Sequence, residues 1–427
     1  MPMQLSPTLQ LEPDEEAMLA GEQGKALAFA MRLLVQLAQA QDARRLIPIT
    51  RAHIDGCLYH GQVSLDFVLR MAEGGARVTV PTTLNVGALD LIHPELNRED
   101  GVTASAMRRQ MDAYVALGCQ PTWTCAPYQL PSRPGLGEQI AWAESNAIVF
   151  ANAVLGARTN RYGDFIDLCA ALVGRVPEAG LHCTANRRGE VVYRLDRLPS
   201  ALLDEETFYP VLGHWLGLDT GKQIPVLVGL PSTTSEDRLK AFGAASASSG
   251  SVAMFHAIGC TPEAPTLEAA LQDRQPTRTV TVTIQDLAQA RSELSNVAVG
   301  EVVSAVSLGT PHYSLNEFAT LVELLRGQTI HPDVAFYVNT SRHVAQVISE
   351  RGWNELLLAA GVHLVVDTCT YFTRILGPQR GAVMTSSAKC AYYAPSNLGV
   401  RVAFGSTLEC VRSAVEGKVW RDDRLWS

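Results

Sequence analysis

From residue 301 onward, apolar and polar positions alternate in one recurring pattern. The runs "EVVSAVSLGT", "DVAFYVNTS", "VHLVVDTCT", "GAVMTSSAK" and "VRVAFGS" are nearly continuous in apolar residues, and each ends in small polar ones. Between them, "LNEFATLVELLRG" and "RHVAQVISERG" repeat apolar residues at helical spacing. Strands apolar on both faces, alternating with amphipathic helices, predict a parallel sheet covered on both sides. The N-terminal half is less regular. Residues 12–41 read as one helix through Leu27, Met31, Leu34 and Leu37, with acids crowding its start. "ARVTVPTTLNV" reads as a short strand running into a polar turn. "IAWAESNAIVFANAVLG" reads as a closely packed helix of small residues, entered from a loop marked by Pro131, Pro134 and "GLGE". The Pro-rich turn "GCTPEAPTLEAALQ" places a boundary between an N-terminal α/β lobe, residues 1–265, and a C-terminal α/β lobe, residues 266–427.

Open α/β sheets bind ligands beyond the carboxyl ends of their strands. In the C-terminal lobe those ends carry Gly309-Thr310-Pro311-His312, Asn339-Thr340-Ser341-Arg342, Asp367-Thr368-Cys369, Thr385-Ser386-Ser387-Ala388-Lys389 and Gly405-Ser406. Helix capping accounts for single serines and threonines. It does not account for Arg342, Lys389 and Cys369 arriving together. Ser386 and Ser387 open a helix with Lys389 behind them, a pattern that cradles an anion. The N-terminal lobe adds His53-Ile54-Asp55-Gly56, Thr82-Thr83-Leu84-Asn85, Glu144-Ser145-Asn146 and Arg158-Thr159-Asn160-Arg161, and "FHAIGCTPEAP" adds His256 and Glu263. A carboxylate in an apolar helix must be paired or functional, and Arg158 is the expected partner of Glu144.

Bulk properties narrow the class. Among 427 residues, 47% are hydrophobic and 18% charged, and the net charge of -8 comes with no basic tract. Nucleic acid and anionic membrane are thereby excluded as expected partners. The first residues lack a signal-peptide pattern and no apolar run reaches about 18 residues, so the expected location is the cytoplasm. Nine cysteines there should be reduced, and Cys57, Cys119, Cys169 and Cys183 read as core residues. Cys125 in a turn, Cys369 at a strand end, Cys390 after the Ser-Ser-Ala-Lys turn and Cys410 in the last helix could hold iron from separate loops. From spacing alone that signal is far weaker than a CxxC pair.

The motifs "HIDGCLYHG", "VPTTLN", "GCQPTWTCAPY", "AWAESNAIVFANAVLGARTNR", "GHWLG", "FHAIGCTPEAP", "SLGTPHYS", "YVNTSR", "VDTC" and "TSSAKCAYYAP" run in order along nearly the whole chain. Together they resemble the large component of aconitase X. The resemblance implies an aconitase-like fold, two α/β lobes with parallel sheets around a central cleft, and a hydro-lyase that works at an iron–sulfur centre. It matches Cys125 and Cys369 to the family's thiolate positions. Thr310 stands where the phosphomevalonate branch carries cysteine, which favours a 2Fe-2S centre, completed by Cys410, over a 4Fe-4S one. It also implies a small swivelling domain as a separate partner chain and a small hydroxy-acid substrate. The expected activity is dehydration of cis-3-hydroxy-L-proline to 1-pyrroline-2-carboxylate. Mevalonate 5-phosphate is the alternative substrate, and a non-catalytic binding paralogue is the alternative of another class. The expected catalytic groups are Lys389, Glu144 and His256. The expected substrate contacts are Thr82, Asn85, Ser145, Asn146, Arg158, Ser341, Arg342, Ser386 and Ser387, with Arg342 and Lys389 gripping the carboxylate.

Overall fold

The protein is described here by a computed structural model covering residues 9–426. Five apolar runs of the C-terminal part form strands Val303–Leu308, Ala335–Thr340, Val362–Val366, Ala382–Thr385 and Val402–Phe404, all parallel. Their spatial order is third, second, first, fourth, fifth. The winding therefore reverses beside Val303–Leu308, and the crevice of such a sheet opens at that reversal. Helices Leu315–Leu325, Arg342–Glu350 and Thr407–Glu416 cover it, so that Val306, Leu308, Phe318, Leu321, Phe336 and Val338 are fully buried. Each such side chain contributes about 1.5–3 kcal/mol of hydrophobic stabilisation.

A second parallel sheet holds, in spatial order, His256–Ala257, Pro225–Val228, Val191–Arg194 and Arg278–Thr281. Strand Arg278–Thr281 pairs with Val191–Arg194, so the segment after the Pro-rich turn continues this sheet. Helices Phe208–Thr220 and Glu236–Ser249 pack beside it through small residues. The N-terminal part holds a three-stranded parallel sheet, Thr82–Leu84, Ala52–Ile54 and Ala141–Trp142 in spatial order, and a short antiparallel pair, Leu46–Pro48 with Arg175–Pro177.

Three local expectations are corrected. The helix expected over 12–41 is two, Pro13–Ala20 and Lys25–Ala40, because Gly21 and Gly24 take φ of +93° and +103° and turn the chain. In "ARVTVPTTLNV" only Thr82–Leu84 pairs as a strand. The run 140–156 is a strand, Ala141–Trp142, then a helix, Ser145–Phe150, continued by a π-helical turn over Ala151–Leu155. Glu144 is the N-cap of that helix rather than a residue inside it. Among the described residues no helix is long and apolar enough to cross a membrane.

Candidate functional site

In chain order the three-stranded N-terminal sheet is the first and the five-stranded C-terminal sheet the third, and the carboxyl ends of these two open onto one cavity of about 280 Å³. From the first sheet come Asp55 after Ala52–Ile54, Asn85 after Thr82–Leu84, and Glu144 and Ser145 after Ala141–Trp142. From the third come Gly309 and Thr310, Cys369 and Lys389. Cys125 enters from the loop before Pro127–Gln129. At Gly309, with φ of +84°, a Cβ would lie 2.1 Å from the Asn339 carbonyl oxygen, so only glycine lets the two strand ends approach this closely.

Glu144 and Lys389 form a buried ion pair, with Nζ donating to Oε1 at 2.5 Å and both side chains about one-twentieth exposed. Burial opposes the ammonium charge, but the Glu144 carboxylate outweighs it and holds Lys389 well above the usual lysine range. Lys389 is thus a fixed cation. Glu144 has little free accepting capacity. Its oxygens also receive the Ala147 N–H at 2.9 Å, the Ser145 hydroxyl at 3.3 Å and the Asn146 amide. A carboxylate has about four lone-pair sites, and four donors fill them.

Cys125 and Cys369 share a small apolar cluster with Val86. Burial first, and the charge of Glu144 second, push the Cys125 thiol up to about 12. Burial and the neighbouring Cys125 raise Cys369. The His312 N–H donates to the Cys125 sulfur at 3.2 Å. The Thr310 hydroxyl is buried beside them without a partner. Among the described residues no group of three or more Cys, His, Asp or Glu is arranged to hold a metal ion.

The first-sheet wall is acidic. Asp55 and Asp164 both line the cavity. Burial, then the charges of Glu144, Asp164 and Asp167, raise the Asp55 carboxyl well above the usual range, and the Asn85 amide partly offsets this. Asp167 is fully buried and accepts the N–H groups of Asp55 and Gly56 at 2.7 and 3.0 Å, which fixes this loop. At the mouth the His60 ring stands 3.4 Å from Asp164.

The other expected residues fall into separate places. Asn146 lies behind the wall, donating to the Cys125 carbonyl at 3.0 Å and accepting from the Tyr128 hydroxyl at 2.6 Å. Thr82 is buried in its strand and donates to the Val80 carbonyl at 2.8 Å. Arg158 does not meet Glu144. It donates to the His182 carbonyl at 3.2 Å, and Lys389 takes the place expected for it. His256 is in the second sheet, donating from Nε2 to the Arg187 carbonyl at 2.7 Å, outside the cavity. Ser341 caps its helix by accepting the Val344 N–H at 3.2 Å. Arg342 spends its fork on Asp367, with bonds of 2.6 and 2.7 Å, and does not line the cavity. Ser386 and Ser387 line a neighbouring cavity of about 330 Å³ that shares Gly309, Thr310 and Lys389 with the first. There Ser387 caps its helix, accepting the Cys390 N–H at 3.0 Å and donating to the Thr310 carbonyl. Cys410 sits in the core of the third sheet with Val411 and Ala414 and does not join the other two thiols. Asp55 and Thr310 were within reach of the strand-end rule. Asp164, Tyr371, Tyr393 and Asn397 line the cavity from segments with no such signal.

Three family models match the chain in order: the aconitase X first domain over residues 8–185, second domain over 189–292 and third domain over 303–416. The cis-3-hydroxy-L-proline dehydratase of Pseudomonas aeruginosa is 44% identical over 418 residues, covering 96% of this chain and 70% of that protein. The enzyme of the same name from Hypocrea jecorina is 40% identical, covering 96% and 69%. The phosphomevalonate dehydratase large subunit of Methanocaldococcus jannaschii is 34% identical, covering 94% and 99%. The crystal structure of Thermococcus kodakaraensis aconitase X in its holo-form superposes with a TM-score of 0.85 at 32% identity, covering 95% of this chain and 100% of that one. With its fold, its domain order and its strand-end motifs in agreement, this chain belongs to the aconitase X family.

Proposed function

We propose that the chain is the large component of a hydro-lyase that dehydrates cis-3-hydroxy-L-proline, working with a small component at an iron–sulfur centre. The observation that carries the substrate reading is the charge of the cavity. Asp55, Glu144 and Asp164 line it, and Lys389 is its one lysine or arginine among the described residues. An amino acid carries one carboxylate and one ammonium and suits such a wall. A phosphorylated hydroxy acid brings about two more negative charges and would ask for a basic cluster. Identities of 44% and 40% to hydroxyproline dehydratases, against 34% to a phosphomevalonate enzyme, point the same way.

Lys389 is the group suited to hold the substrate carboxylate as negative charge builds on it during loss of the α-proton. Glu144 keeps that ammonium charged and aimed. With its lone pairs occupied, it is a positioning residue rather than the proton acceptor. His256 lies outside the cavity and Lys389 stays protonated, so neither is suited to take the α-proton; the family resemblance implies a base on the small component. The two relatives named for hydroxyproline extend about three-tenths of their length beyond the match, whereas the archaeal large subunit is matched almost end to end.

Cys125 and Cys369 fit a metal centre, since two buried thiols and a backbone N–H aimed at sulfur share one cavity. With two thiolates rather than three, we favour a 2Fe-2S centre over a 4Fe-4S one. Bound there, it would supply Lewis acidity toward the departing hydroxyl. Loss of water would leave an enamine, which tautomerises to 1-pyrroline-2-carboxylate.

The test is anaerobic assay of the chain together with the small component, using cis- and trans-3-hydroxy-L-proline and mevalonate 5-phosphate. Product from the cis isomer alone is expected. A preference for the phosphorylated substrate, or equal rates on the two isomers, overturns the reading.

A further inference from the structure

At the first-sheet end of the cavity, acceptors outnumber donors. The Asp55 loop is fixed from behind by Asp167, which leaves the Asp55 carboxylate facing the cavity and accepting the Asn85 side-chain N–H. That bond orients Asn85. Its Nδ2 faces Asp55, and Oδ1 faces away. Oδ1 has no hydrogen-bond partner, although Asn85 is only 2% exposed. A buried carbonyl left without a donor costs about 1–3 kcal/mol, and such groups are rare outside sites where a ligand completes them. Asp164 lines the same cavity and adds negative charge, while Lys389 is already committed to Glu144.

A ligand group that satisfies this end needs positive charge and two N–H donors on one atom. A secondary ammonium has both. One N–H meets Asp55, whose carboxyl is raised by burial and neighbouring acids and is drawn to its ionised form by an incoming cation, and the other meets the free Asn85 carbonyl. We propose that Asp55 and Asn85 form the subsite for the ring ammonium of an α-imino acid, and that they select such substrates over acids lacking the nitrogen. This deepens the substrate reading above and rests on it. The nitrogen then lies against the first sheet, with the carboxylate toward Lys389, and the adjacent positive charge makes the α-proton easier to remove.

The experiment uses the metal-loaded chain with its small component and compares two competitive inhibitors, L-proline and tetrahydrofuran-2-carboxylate, in which oxygen replaces the ring nitrogen. Wild type should bind L-proline at least about tenfold more tightly, an increment typical of one charge-assisted contact. Asp55→Asn should abolish that preference, raising the inhibition constant of L-proline and the KM for cis-3-hydroxy-L-proline about tenfold, with the oxygen analogue within about twofold of wild type. Asn85→Ala should reduce the preference severalfold, and it carries the test if Asp55→Asn fails to fold. Wild type that turns over hydroxyproline while both variants keep the preference would overturn the subsite and leave the substrate reading intact. Wild type that prefers L-proline but does not turn over hydroxyproline would overturn the substrate reading alone, provided the variants lose the preference. No preference in wild type overturns the subsite.

Discussion

Glu144→Gln changes one atom and removes one charge, and the structure predicts that it is more damaging than deleting the lysine it faces. Lys389 is buried, its hydrogen bond goes to Glu144, and the Tyr371 ring lies 5.9 Å away. Taking away the carboxylate strands an ammonium in the interior, a change that costs about 3–5 kcal/mol. The reverse change, Lys389→Met, leaves Glu144 with the Ala147 N–H, the Asn146 amide and the Ser145 hydroxyl. Its cost should be nearer 1–3 kcal/mol, roughly that of a lost buried hydrogen bond. The two single variants should therefore differ by about 2 kcal/mol, and the double variant should fall close to Lys389→Met, because it strands no charge. All three should be inactive. The assay is urea denaturation followed by circular dichroism, compared by transition midpoints, since a chain with several cores need not unfold in two states. The pH dependence has a definite sign. Lys389 is held above its ordinary value of 10.5 when folded, so the stabilisation is fully present below pH 10.5 and is lost as pH rises through the folded value. The gap between wild type and Glu144→Gln should persist at neutral pH and close only in strong alkali. Lys389→Met as the more damaging single change, or a double variant as unstable as Glu144→Gln, would refute this account of the pair.

Two further outcomes follow from the placement of thiols and arginines. Anaerobically prepared wild type should contain iron, Cys125→Ser and Cys369→Ser should each lose most of it, and Cys410→Ser should retain it, as measured by iron and sulfide analysis. Arg342→Lys should lower stability by about 1–2 kcal/mol by breaking the bidentate grip on buried Asp367, discounted for the partial exposure of the arginine. The enzyme that remains folded should keep its KM, because Arg342 faces Asp367 and not the substrate cavity.

The third sheet was legible because each strand is apolar on both faces and ends in a polar cluster, a local pattern that needs no long-range information. Cys125, Glu144 and Lys389 were legible as chemistry, but their pairing was not. Arg158 is near Glu144 in sequence, whereas Lys389 is 245 positions away, and only the facing of two sheets joins them. Arg342 misled for a related reason. A guanidinium at a strand end is available to a ligand only if no carboxylate follows the neighbouring strand, and here Asp367 does. Ser386 and Ser387 opened a helix as expected, but they face the adjoining cavity across the Thr310 wall. The 140–156 run hid its strand because Ala141–Trp142 is too short to show a period of its own.

The thiol pair sits apart from the main hydrophobic cores. The N-terminal core closes over residues between Leu9 and Ala179, and that of the third sheet between Val303 and Val419, while Cys125 and Cys369 meet in a minor cluster between them. Neither of those two cores draws on Cys125 or Cys369 for its packing. The proposed centre would then be installed after the polypeptide has folded, through the open side of the cavity. A chain stripped by a chelator should keep its secondary structure and be reloadable without a chaperone. The proposed centre would tie the Cys125 loop to the Cys369 turn, and its loss should show as faster hydrogen exchange along residues 119–129 and 367–373 while the sheets stay protected.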